Sequence, residues 1–104
     1  MDYCFDIDGV ICDLTPPSDF QNAKPNKTII DAINNLYNKN NKIHLYTSRY
    51  SSYRDITIEW LSDNNVLYDT ITFDKPRADI YVDDRCIQPI VFIDRYNRRK
   101  IIND

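Results

Sequence analysis

The chain has 104 residues, 42% of them hydrophobic, with thirteen Lys and Arg against sixteen Asp and Glu for a formal net charge of −3. A single domain over 1–104 with this apolar content buries roughly two-thirds of its unfolded surface, which excludes intrinsic disorder and any need for disulfides or a structural metal. The mild acidity excludes a protein built to coat DNA, since that affinity comes from neutralising phosphates.

Tyr3 to Ile7 alternates aromatic and branched residues and runs into Asp8-Gly9, which predicts a buried strand ending at a turn. Gly9 is the only glycine, so the backbone there needs an unusual dihedral or a close approach. Asp13 to Asn26, with Pro16, Pro17 and Pro25, reads as a loop. From Thr28 the period becomes 3.6, with Ile29, Ile30, Ile33, Leu36 and Tyr37 on one face and a Thr28-x-x-Asp31 start resembling a capping box. Ile43 to Thr47 predicts the second strand, closed by Ser48-Arg49, and Ser52-x-x-Asp55 opens a second helix that ends at Asn64-Asn65. Thr70 to Phe73, Ile80 to Val82 and Ile90 to Ile93 supply strands three to five, and Arg95 to Lys100 reads as a basic turn. Strands alternating with helices give an α/β fold, a three-layer Rossmann-like domain on a mainly parallel five-stranded sheet.

Cys4, Cys12 and Cys86 are odd in number and far apart, so neither a disulfide framework nor a zinc site follows. The start carries acid where a signal peptide carries base, and no apolar run approaches the ~18 residues of a membrane helix, so a cytoplasmic location is expected.

Ligands of open parallel sheets bind beyond the carboxyl ends of the strands. The predicted strand ends carry Asp6 and Asp8, then Thr47 and Ser48, then Asp74 and Lys75, then Asp83 and Asp84. Such a set suits phosphoryl transfer: a carboxylate that forms an aspartyl phosphate splits one difficult displacement into two, provided the charge on phosphorus is offset. Mg²⁺ takes only one or two protein carboxylates, so Asp6, Asp83 and a backbone carbonyl would hold it. Lys75 would add a point charge, in competition with Arg77, while Thr47 and Ser48 offer hydroxyl and N–H donors to the phosphate oxygens.

Phe5-Asp6-Ile7-Asp8-Gly9-Val10, Ile43 to Thr47, Lys75 and Tyr81-Val82-Asp83-Asp84 resemble the four motifs of the haloacid dehalogenase (HAD) superfamily, in the family's order, over Tyr3 to Arg85. The resemblance implies that Asp6 is nucleophile and metal ligand, and that Asp8 is general acid and then base. It further implies that the Asp8 carbonyl and Asp83 complete the Mg²⁺ site with Asp84 behind them, and that Thr47 and Lys75 hold the phosphate. Phe73 to Asp84 is similar to the small HAD-type phosphatases of capsule and surface-polysaccharide biosynthesis, implying a sugar phosphate or similar metabolite as substrate. No cap domain fits in Cys12 to Lys27 or Tyr50 to Asp74, so the site is open or borrows a lid from a second copy in a homo-oligomer.

Order argues against a response-regulator receiver, where the acidic pair comes first and the phosphoacceptor later. Arg49, beside Thr47 and Ser48, can reach substrate anions, while His44 reads as structural. Arg95, Arg98, Arg99 and Lys100, with Tyr96 available to stack on a base, raise an alternative, a polynucleotide 3′-end phosphatase that binds nucleic acid. A non-catalytic HAD-like binding or regulatory module is the remaining alternative.

Overall fold

The structure is a computed structural model that describes residues 1–103, with side chains described through Arg99. Three strands, β1 (Asp2–Phe5), β2 (Lys42–Tyr46) and β3 (Thr70–Thr72), form one parallel sheet in the order β1-β2-β3. Tyr3 pairs with Ile43 and Leu45 with Ile71. The strands are joined through α1 (Lys27–Asn38) and α2 (Arg54–Asp63), and α3 (Pro89–Asn103) ends the described chain. The α/β alternation is present. The five-stranded Rossmann-like sheet is not, because the two predicted C-terminal strands do not form.

Ile80 to Val82 lies in a loop without strand pairing, with Ile80 78% and Val82 96% exposed. Three residues offer few ladder bonds, and the loop closes on itself instead: the Tyr81 hydroxyl donates to the Pro76 carbonyl and accepts from the Ala78 N–H at 3.2 Å. Ile90 to Ile93 is helical. A run of four apolar residues fits strand or helix, and the longer window decides: Pro89 suits a first helical turn, and Phe92, Ile93 and Tyr96 share one helical face. That face packs on β1 and α1: the Phe92 ring meets Phe5 edge-on at 5.2 Å, and Tyr96 accepts a hydrogen bond from Asn35 of α1. Arg95, Arg98 and Arg99 therefore stand on a helix rather than a turn, and the side chain of Lys100 lies outside the described residues.

On β2, Ile43 and Leu45 are fully buried on one face, while His44 and Tyr46 on the other are half-buried. Ile29, Ile33 and Leu61 from the two helices complete the core with Ile7 and Ile11. Trp60 closes its rim by donating its indole N–H to the Ala23 carbonyl at 2.9 Å. The cap of α1 is Asn26, whose side chain accepts from the Ile29 N–H at 3.2 Å, two residues ahead of the expected Thr28. Left-handed backbone occurs at Gly9, as the lone glycine suggested, and also at Asn40, Asn65 and Asp74.

Truncating Leu61, which has no exposed surface, to alanine should cost about 2–5 kcal/mol, and Asn26→Ala about 1 kcal/mol, measured by urea unfolding.

Candidate active site

The carboxyl end of β1 is wound tightly: the Ile7 carbonyl accepts from the N–H groups of Val10, Ile11 and Cys12 at 3.2, 2.9 and 3.2 Å, and Gly9 takes φ of 82°. This winding buries Ile7 and turns the carboxylates on either side of it outward. Asp6 Oδ1 accepts the Ile7 N–H at 2.8 Å, and its Oδ2 lies 3.6 Å from Lys75 Nζ.

Backbone bonds between strand ends put Lys75 there. Thr47 donates its N–H to the Thr72 carbonyl at 2.9 Å, Lys75 donates to the Thr47 carbonyl at 3.0 Å, and Asp74, with φ of 61°, donates to the Arg49 carbonyl at 3.0 Å. The Asp74 carboxylate also accepts the Ser51 N–H at 3.1 Å. The Lys75 ammonium sits 4.1 Å from the centre of the Tyr81 ring, so the loop that fails to form a strand screens this lysine from water.

Asp8 meets a different cation. Arg49 is 3% exposed, and its Nε and Nη2 donate to the two Asp8 oxygens at 3.0 and 2.8 Å. Its Nη1 donates to Thr57 Oγ1 at 3.0 Å, and its guanidinium carbon stands 3.7 Å over the Phe20 ring. A buried guanidinium with three donors satisfied and a ring against its face is fixed in place, and it fixes the carboxylate it holds. Every polar group of Arg49 named here faces the protein, with Asp8 as its ionic partner, and the residue also lines the groove beside Asp8.

Thr47 is fully buried, and its hydroxyl accepts the Arg49 N–H at 3.1 Å, bracing the turn from within. Ser48 is half-buried and borders a groove of about 410 Å³ whose walls include Asp8, Leu14, Pro16, Pro17, Arg49 and Arg77. A wider depression of about 580 Å³, lined by Gly9, Asp13, Lys24 and Lys27, touches none of Asp6, Thr47 or Lys75.

Asp6, Asp8, Thr47 and Lys75 thus come together at one edge of the sheet. Asp83 and Asp84 do not take the expected strand-end position: they lie in the exposed loop, where Asp83 Oδ1 accepts the Arg85 N–H at 3.0 Å. The described residues hold no group of three or more His, Cys, Asp or Glu side chains able to share a metal ion. One oxygen of Asp6 faces an ammonium, and both of Asp8 face a guanidinium. Of the expected Mg²⁺ ligands, Asp6 faces Lys75 and Asp83 lies in the exposed loop.

Burial pushes the Asp6 carboxyl above its ordinary range, opposed by the Ile7 N–H and by Lys75, with the Asp8 charge adding to the rise. Burial, and after it the Asp8 charge, pushes the Cys12 thiol up to about 12, so Cys12 stays protonated beside the pair. His44 serves the sheet, bridging Thr70 at 2.6 Å and Asp2 at 3.3 Å. No pattern in the sequence marks Thr57 or Phe20 as neighbours of the site, whereas Tyr81 lies within the fourth motif.

No protein-family model and no curated protein matches the sequence. Among solved structures, the fold resembles a structural-genomics target from Vibrio cholerae, with a TM-score of 0.77 and 23% identity over 95% of this chain and 98% of that one. It also resembles a chain of the Pnkp1/Rnl/Hen1 RNA repair complex, with a TM-score of 0.62 and 17% identity over 96% of this chain and 31% of that one. At these identities the likeness is one of fold. No helix among the described residues is long and apolar enough to cross a membrane.

The raised Asp6 carboxyl makes ionisation oppose folding. Its stabilising contribution is present while it is protonated and is lost as pH rises from the ordinary carboxyl value through the folded-state value. Asp6→Asn should therefore melt above the parent at pH 7, with the difference shrinking below about pH 4 in a thermal-unfolding series. Arg49→Met should destabilise by about 3 kcal/mol by leaving Asp8 unpaired, and the Asp8→Asn/Arg49→Met double variant should lose less than the sum of the single losses.

Proposed function

We propose that the chain hydrolyses phosphomonoesters, with Asp6 as the nucleophile. The observation that carries this reading is the pairing of the Asp6 carboxylate with the Lys75 ammonium, 3.6 Å apart at the mouth of the sheet, beside a second carboxylate held by its own guanidinium. One Asp6 oxygen is anchored by the Ile7 N–H, which leaves the other to attack. An Asp6 oxygen forms a bond to phosphorus as the bond from phosphorus to the leaving oxygen breaks, and the leaving oxygen takes a proton. Lys75 offsets charge on the phosphoryl oxygens, where a fixed cation is worth more than in water. A water then attacks the phosphoryl group, giving up a proton, and phosphate departs with Asp6 restored. Asp8, two residues from Asp6, enters the cycle protonated, gives that proton to the leaving oxygen and takes one back from the attacking water, while Arg49 fixes its position beside the groove.

A sugar phosphate or similar small metabolite is the first substrate reading, drawn from the resemblance to capsule-type phosphatases in the cytoplasm, with Mg²⁺ as the cofactor that resemblance implies. A polynucleotide 3′ end is the second. It draws on the open groove and on the fold shared with a chain of an RNA repair complex.

Turnover of p-nitrophenyl phosphate should fall to background in Asp6→Asn and by about 10²–10⁴-fold in Asp8→Asn, measured as nitrophenolate release. Full activity in Asp6→Asn would remove the nucleophile assignment.

A further inference from the structure

The cations at the sheet edge are unequally engaged. Lys75 faces Asp6 and Arg49 faces Asp8. Arg77 is the cation left over. It is exposed, has no ion pair among the described residues, hydrogen-bonds the Ser48 carbonyl at 3.4 Å and has its guanidinium carbon 4.7 Å from the centre of the Tyr50 ring. The same arginine lines the groove that contains Asp8. Leu14, Pro16 and Pro17 line the same groove, with Leu14 81% exposed. Proline fixes its own φ and so limits how far the wall can move, and the large exposed leucine beside the prolines adds apolar surface for a ring to cover.

We infer that this groove receives the leaving group of a phosphomonoester that carries a second phosphate and a flat ring, with Arg77 holding the second phosphate and the Leu14, Pro16 and Pro17 wall packing on the ring. The inference rests on the reading of Asp6 and Asp8 as the reacting end, and it narrows the substrate to nucleotides with two phosphates. A guanidinium matches a phosphate with two parallel donors, and the Tyr50 ring lies against its face. A singly phosphorylated compound bound at Asp6 and Lys75 leaves Arg77 unpaired.

The chemistry is shared by a free nucleoside bisphosphate and by the phosphorylated end of an oligonucleotide. Calorimetric titration of the full chain in EDTA with adenosine 3′-phosphate and adenosine 3′,5′-bisphosphate should give a dissociation constant about tenfold lower for the bisphosphate. Arg77→Ala should abolish that difference and Arg77→Glu invert it. Equal affinities, or a difference that survives Arg77→Ala, would overturn the assignment, as would glucose 1,6-bisphosphate binding as tightly as the nucleotide. Short 3′-phosphorylated oligonucleotides identify the source: affinity that climbs with each added phosphate marks a nucleic-acid end, and affinity that stays level marks a free nucleotide. Binding is read without turnover, so loss of the hydrolase reading through an active Asp6→Asn stays separate from loss of the Arg77 subsite.

Discussion

A guanidinium inside a protein has to be paired, and the pairing of Arg49 with Asp8 orders much of what surrounds it. The loop after β1 must wind around the Ile7 carbonyl to bring Asp8 within reach. The turn after β2 must fold on the Thr47 hydroxyl so that Arg49 points back across it. Helix α2 must present Thr57, and the proline-rich loop must present Phe20, or a donor and a π-face go without a partner. Four segments distant in sequence thus meet at one charged group. The cost of desolvating an ion pair is offset here by hydrogen bonds from all three guanidinium nitrogens.

The second ion pair, Lys75 with Asp6, is built differently. It is assembled by backbone hydrogen bonds between the ends of β2 and β3 and roofed by an aromatic ring from the following loop. One acid is therefore locked by a side-chain cage while the other stays partly open beside a lysine. Two carboxylates two residues apart acquire distinct environments in this way, which is the usual basis for dividing chemical roles between them.

Strand and helix signals that extended over several turns or carried strong alternation were readable from residues alone, as in Ile29 to Tyr37 and Ile43 to Thr47. Short apolar runs were not. Ile80 to Val82 looked like a strand because its residues favour one, yet a loop closed by Tyr81 competes for them locally. Ile90 to Ile93 looked like a strand because its helical period emerges only when Tyr96 is included. The meeting of Asp6, Asp8, Thr47 and Lys75 at one sheet edge is legible in the sequence, since each follows within three residues of a strand that forms. Asp83 and Asp84 were not placed correctly, because their position depended on a strand that does not form. The engagement of Arg49 was invisible for a different reason: its partners lie 41 and 8 residues away and share no pattern.

A chain with one glycine has to turn its other left-handed corners with residues that bear side chains, and here Asn40, Asn65 and Asp74 do so. Such residues sample fewer backbone states before folding than glycine does, so each corner surrenders less freedom when it forms. For a protein resting on a sheet of three short strands, restraint imposed on the disordered chain supplements what a modest core can provide.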